Sequence, residues 1–135
     1  PFKGKRVGFL GVTFKPATDD LRESPTLDLM ATLLADGFEI KAYDPNLHFG
    51  PMLQGQIDYV RHAVPRQAKL MDELQDMSLD TAAALVASSD VVVVSHATAE
   101  FRKAVCDRAP HVHVLDLARL FKELPLDETY QGIAW

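Results

Sequence analysis

Lys15 and Arg22 are the residues whose type and spacing most directly suggest chemistry. They lie in the run Thr13-Phe14-Lys15-Pro16-Ala17-Thr18-Asp19-Asp20-Leu21-Arg22-Glu23-Ser24-Pro25, two cations set just before the expected start of a helix. A helix N-terminus already favours anions, so fixed cations beside one suit a phosphate-bearing ligand. The acids Asp19, Asp20 and Glu23 have two readings: they hold the cations by ion pairing, or they solvate a loop. The connection occupies about a dozen residues, whereas strand-to-helix connections normally take about 2–6, and long ones tend to carry function. An anion site and a structural loop are both compatible with these residues.

Other candidates are weaker. Gly8-x-x-Gly11 lacks the middle glycine of a Gly-x-Gly-x-x-Gly dinucleotide fingerprint. Asp44 follows Gly11 by 33 residues, whereas the ribose-binding acid usually comes about 20 further on. Asp44-Pro45 reads as a turn. Cys106 has no nearby His and has Asp107 beside it, which disfavours a thiolate nucleophile, so a small buried or half-buried helix residue is expected there. His111 and His113 alternate on an expected strand, but two histidines without a third ligand do not make a metal centre, and no metal is expected. His48, His62 and His96 are scattered and read as surface residues. Trp135, at the last position, either packs on a partner or is a frayed end.

The elements that must position these residues alternate. Lys5-Arg6-Val7-Gly8-Phe9-Leu10-Gly11 has the apolar run of a buried parallel strand. Leu27, Met30, Ala31 and Leu34 give residues 26–36 an amphipathic helical stripe, with Ser24 as N-cap, Pro25 in the first turn and Gly37 closing the end. Residues 38–43 read as a second strand. Gly50, Pro51, Gly55 and Pro65 punctuate residues 46–80, where loop, a short helix and an edge strand are expected. A short helix over 79–87 precedes Asp90-Val91-Val92-Val93-Val94-Ser95, the clearest strand of the chain. A helix over 100–108, a strand over 112–115 and a helix over 117–124 complete the order. This alternation predicts an α/β, Rossmann-like three-layer domain with a mainly parallel sheet, filling residues 1–135.

Composition narrows the class. An apolar share of 47% and a charged share of 24% are those of an ordinary globular domain. A net charge of −5 argues against nucleic acid as partner. One cysteine excludes a disulfide framework and points to a reducing cytoplasm. No apolar run approaches the about 18 residues that span a bilayer, so no membrane partner is expected. The chain begins at Pro1 without an initiator Met, as expected of a fragment of a longer protein.

Gly8-Phe9-Leu10-Gly11-Val12-Thr13-Phe14-Lys15, Thr18-Asp19-Asp20-x-Arg22-Glu23-Ser24-Pro25 and Tyr43-Asp44-Pro45 resemble the C-terminal domain of the UDP-glucose/GDP-mannose dehydrogenase family. The likeness continues through Ser88-Ser89-Asp90-Val91-Val92-Val93 and Asp116. The ending Gly132-Ile133-Ala134-Trp135 is most similar to the GDP-mannose 6-dehydrogenase branch, although Ala134 stands where that branch has Cys.

The resemblance implies an NAD-dependent oxidation of the sugar C6 alcohol to a carboxylate, GDP-mannose to GDP-mannuronate. It places the NAD-binding domain and the catalytic cysteine upstream, and leaves no catalytic residue in this chain. It implies that Phe14 and Lys15 contact the nucleotide sugar and that Arg22 reaches NAD across the cleft between domains. It also implies that the full-length enzyme is a homo-oligomer. UDP-sugar members often carry Asp-x-Arg after the last strand; here Asp116-Leu117-Ala118-Arg119 displaces the Arg by one. Either Arg119 compensates, or the base is read differently. A UDP-sugar 6-dehydrogenase domain and a stand-alone Rossmann-like binding or assembly module are the alternatives.

Overall fold

A computed structural model describes residues 5–13, 20–22, 24–123 and 127–132. Five strands, β1 (Arg6–Leu10), β2 (Glu39–Tyr43), β3 (Val91–Val94), β4 (His113–Asp116) and β5 (Tyr130–Gly132), form one sheet in the order β2-β1-β3-β4-β5. All neighbours are parallel. The expected α/β, three-layer arrangement is therefore present. A wholly parallel sheet needs cover on both faces. α1 (Pro25–Ala35), α2 (Pro51–Ala63) and α3 (Ala68–Met77) pack one core with Val7, Phe9, Ile40 and Ala42. α4 (Ala82–Ala87) and α5 (Ala99–Cys106) pack the other, with Leu10, Val92, Val94 and Val114. The alternation of side chains along β1 and β3 splits them between the two cores, because successive residues of a strand face opposite sides.

α1 ends as its sequence predicts. Gly37 adopts φ +94, and the amides of Gly37 and Phe38 donate to the carbonyls of Leu34 and Leu33, a Schellman closure. Its start differs. Ser24 occupies the N-cap, but its hydroxyl makes no capping bond and donates instead to the carbonyl of Val12 at 2.8 Å. Residues 46–80 depart most from expectation: they hold two helices, α2 and α3, joined by a 3-10 turn at Pro65–Gln67, and no strand. Pro51 and Pro65 stand in first turns, where a missing N–H costs nothing. The expected helix over 117–124 is absent from the described part of that stretch, which turns without regular structure through Glu123. β5 was not expected. No described helix is long and apolar enough to cross a membrane.

Candidate functional site

The chain runs from β1 through α1 to β2 on one side, then returns to place β3 on the other side of β1. The order therefore reverses between β1 and β3, and open α/β sheets bind ligands outside the carboxyl ends of strands at such a point. Here those ends are Gly11, Val12 and Thr13 after β1 and Ser95 and His96 after β3. Asp44, at the end of β2, supplies the anchor. Its Oδ2 accepts the amide of Val12 at 2.8 Å, the amide of Thr13 at 3.0 Å and the Thr13 hydroxyl at 3.0 Å. Its Oδ1 accepts the amide of Asn46 at 2.9 Å. The carboxylate is buried, so these donors supply the solvation that water would otherwise give.

His96 completes the cluster from the β3 side. It is buried, and its Nε2–H donates to the carbonyl of Thr13 at 2.9 Å. A carbonyl cannot donate, which places the proton on Nε2. Its Nδ1 lies 3.8 Å from Asp44 Oδ2, and its ring stacks on Phe101. Sequence reading placed His96 on the surface; the structure corrects this. The available sign was Gly11. A Cβ there would lie 2.7 Å from the His96 ring, and Gly11 has φ +96, so the ring fills space that any side chain at position 11 would need.

The far end of the connection is also fixed. Leu21 is fully buried and its amide donates to Gln56 Oε1 of α2 at 2.8 Å. Arg22 follows, exposed, with its Nε 3.1 Å from Asp20 Oδ1. Together with Arg66, Tyr59 and Ser24 it lines a cavity of about 850 Å3. Arg66 pairs there with Asp28 at 2.9 Å. The Arg22 hydrogen bonds hold the Asp20 carboxyl below its ordinary range, and Arg66 does the same for Asp28. Of the acids weighed above, Asp20 thus follows the ion-pairing reading, whereas Asp19 and Glu23 lie outside the described residues. Ser24 joins the two regions, since it lines this cavity and bonds to Val12 beside Asp44.

The glycines are structural. A Cβ on Gly8 would lie 2.1 Å from Ser89 Oγ and 2.7 Å from Leu85, so β1 closes on α4 at that point and leaves no room for a diphosphate. Among the described residues, then, the first strand and its glycines do not form a dinucleotide cradle. Of the residues singled out from the sequence, Phe14 and Lys15 lie outside the described residues, as does Trp135. Asp44-Pro45 is a turn, as read, but its carboxylate has the larger part described above. Cys106 is exposed, not buried, because it falls on the outer face of α5. His111 precedes β4, so it does not alternate with His113 along that strand. The described residues hold no group of three or more His, Cys, Asp or Glu able to bind a metal. After β4, buried Asp116 accepts the amides of Ala118 at 2.9 Å and Leu120 at 2.8 Å, and the Tyr130 hydroxyl donates to it. Arg119, exposed on that loop, has φ +54.

Residues 8–123 match the model of the UDP-glucose/GDP-mannose dehydrogenase family, UDP binding domain. The chain is 30% identical over 131 residues to GDP-mannose 6-dehydrogenase of Azotobacter vinelandii, covering 97% of this chain and 28% of that protein. It is 45% identical, over 49 residues, to UDP-glucose 6-dehydrogenase of Pseudomonas aeruginosa, covering 36% of this chain and 11% of that protein. A ternary complex of GDP-mannose dehydrogenase from Pseudomonas aeruginosa superposes with a TM-score of 0.75 at 27% identity, over 98% of this chain and 28% of that one. The chain thus spans little more than a quarter of the GDP-mannose relatives it matches.

Proposed function

The chain belongs to the UDP-glucose/GDP-mannose dehydrogenase family, and from that premise we propose that it is the nucleotide-sugar-gripping domain of a longer NAD-dependent 6-dehydrogenase acting on GDP-mannose. The observation that carries this reading is the anchoring of the β1–α1 connection. Asp44 and His96 fix it at Thr13, Gln56 fixes it at Leu21, and it leaves the sheet where the strand order reverses. In this reading Phe14 and Lys15, which directly follow Thr13, contact the nucleotide sugar, Lys15 through phosphate or sugar oxygens. Charge-assisted bonds of that kind orient a diphosphate as well as hold it.

NAD, bound mainly by an upstream domain, supplies the acceptor for hydride from the sugar C6. The described residues fit one contact to it, not its whole binding site. Arg22 is exposed at the rim of a cavity and held in a set orientation by Asp20, whereas Gly8 and Gly11 are filled by the protein's own side chains. Cys106 lies on α5, with its neighbour Asp107 paired to Lys103 at 2.8 Å, and takes no part. Assignment to GDP-mannose is supported by relatives of that activity matched along 97% of the chain, by the Gly132-Ile133-x-Trp135 ending and by Ala118 in place of Arg.

A thermal-shift series with GDP-mannose, UDP-glucose, GDP and UDP tests the reading, because a ligand of the folded state raises its melting temperature. GDP-mannose is expected to give the largest shift, and Lys15→Ala to weaken its binding about tenfold without unfolding the domain. No shift with any of the four would overturn the reading; a larger shift with UDP-glucose would overturn the choice of base.

A further inference from the structure

His96 lies on a different strand from the connection it touches and is separated from Thr13 by 83 residues. Its surroundings leave it little freedom. Phe101 stacks on one side, Asp44 Oδ2 lies 3.8 Å from Nδ1, and the empty side-chain position of Gly11 is only 2.7 Å from the ring. Thr13 is gripped from both directions: its amide and hydroxyl donate to Asp44, and its carbonyl accepts from His96. The two peptide groups that flank the Thr13 Cα are each held, one at its N–H by Asp44 and the next at its C=O by His96, which fixes the backbone at this residue.

We propose that His96 is a positioning residue for nucleotide-sugar binding, acting through the carbonyl of Thr13 on the connection that begins there. The inference rests on the reading that residues directly after Thr13 contact the sugar nucleotide. It adds a residue from the far side of the switch point that neither touches the ligand in that reading nor belongs to any motif of the connection. A buried histidine that merely filled space would affect stability alone. One that sets the direction of the chain also affects affinity, because small misplacements of binding groups are costly.

The test uses His96→Gln, whose amide nitrogen reaches close to the position of Nε2, and His96→Asn, whose shorter side chain falls short of the Thr13 carbonyl. Both are measured by titration calorimetry with GDP-mannose and UDP-glucose, and by the KM values for nucleotide sugar and NAD in the intact enzyme. The expected result is about tenfold weaker nucleotide-sugar binding in His96→Asn, affinity within about threefold of wild type in His96→Gln, and an unchanged KM for NAD. Equal affinity in both variants and wild type would overturn the proposal, as would equal loss in both or a parallel rise in the KM for NAD. Should His96→Asn fail to fold, His96→Leu keeps an apolar side chain against Phe101 and removes the bond to the Thr13 carbonyl. A folded His96→Leu with wild-type affinity would then overturn the proposal, and a several-fold loss would support it. Lys15→Ala separates the two levels: wild-type affinity in that variant sinks the reading itself, whereas weak Lys15→Ala with intact His96→Asn sinks only the part given to His96.

Discussion

Asp44 and Asp116 end two strands of the same sheet, both buried, and both begin with the same local bond. Asp44 Oδ1 accepts the amide of Asn46, and Asp116 Oδ1 accepts that of Ala118, each two residues on and each at 2.9 Å. Their second oxygens diverge. Oδ2 of Asp44 reaches Val12 and Thr13, across to the next strand's connection. Oδ2 of Asp116 reaches Leu120 within its own loop and Tyr130 at the start of the edge strand. One aspartate ties together two loops at the switch point; the other closes one loop and holds the sheet edge. The difference comes from topology: β2 lies beside β1, which leads directly into the amides of Val12 and Thr13, whereas β4 lies beside the short strand β5. A turn motif in a sequence therefore says where a carboxylate sits, and the neighbouring strand decides what it does.

The largest effect should follow Asp44→Ala. It strands the buried amides of Val12 and Thr13, and each unsatisfied buried donor costs about 1–3 kcal/mol, so a loss of about 3–5 kcal/mol in urea unfolding is expected. Nucleotide-sugar affinity should fall more than tenfold in whatever fraction remains folded. A folded Asp44→Ala that binds normally would reduce Asp44 to the local role of Asp116.

Asp116→Ala should cost somewhat less, about 2–4 kcal/mol, since the Tyr130 hydroxyl and the Leu120 amide lose their acceptor while the sheet keeps its central strands. Nucleotide-sugar affinity should stay within about threefold of wild type. This sharpens the comparison, because the loop that Asp116 holds contains Ala118 and Arg119, where UDP-sugar members often place an arginine. Loss of affinity as large as in Asp44→Ala would draw that loop into the site, with Arg119 as the residue to examine next.

The same contrast explains what could be read from the sequence. Four valines in Val91–Val94 and the stripe of α1 announced themselves, because burial on a strand or helix imposes a period on neighbouring residues. Asp44-Pro45 was legible as a turn for the same local reason. The bonds of Asp44 Oδ2 and the burial of His96 were not, since both depend on which strands become neighbours. Only a short helix was legible where α2 and α3 stand, because Pro51 and Pro65 begin turns of helix although they read as interruptions, and Gly55 is an exposed helical position with open space around it. β5 is three residues long, too short to show alternation. The connection itself stood out by its length and its cations. What holds it did not.

A third aspartate, at the amino-terminal end of the central strand, isolates the contribution of burial. Asp90 precedes β3 and accepts from the Arg6 guanidinium, at 3.1 Å from Nη2, and from the Arg6 amide at 3.0 Å. Unlike Asp44 and Asp116 it is partly open to water. The Arg6 side-chain hydrogen bonds, with its amide and charge, lower the carboxyl to about 2 from an ordinary value of 3.8. Because the folded state binds the proton less readily than the unfolded chain, the pair contributes stability above pH of about 4 and loses it as the pH falls through about 2. The contribution is small, since an exposed pair is screened and must hold two side chains in place. Asp90→Asn should therefore melt only slightly below wild type from pH 7 down to about pH 5, and the gap should close between about pH 4 and pH 2. Added salt should narrow the gap at pH 7. Asparagine keeps an oxygen for the Arg6 amide, so a gap that persists at pH 2 would mean that packing, not charge, joins β1 to β3 at this end of the strands. Asp90 would then resemble Asp116 despite its exposure, and the contrast between the two ends of the strands would rest on geometry alone.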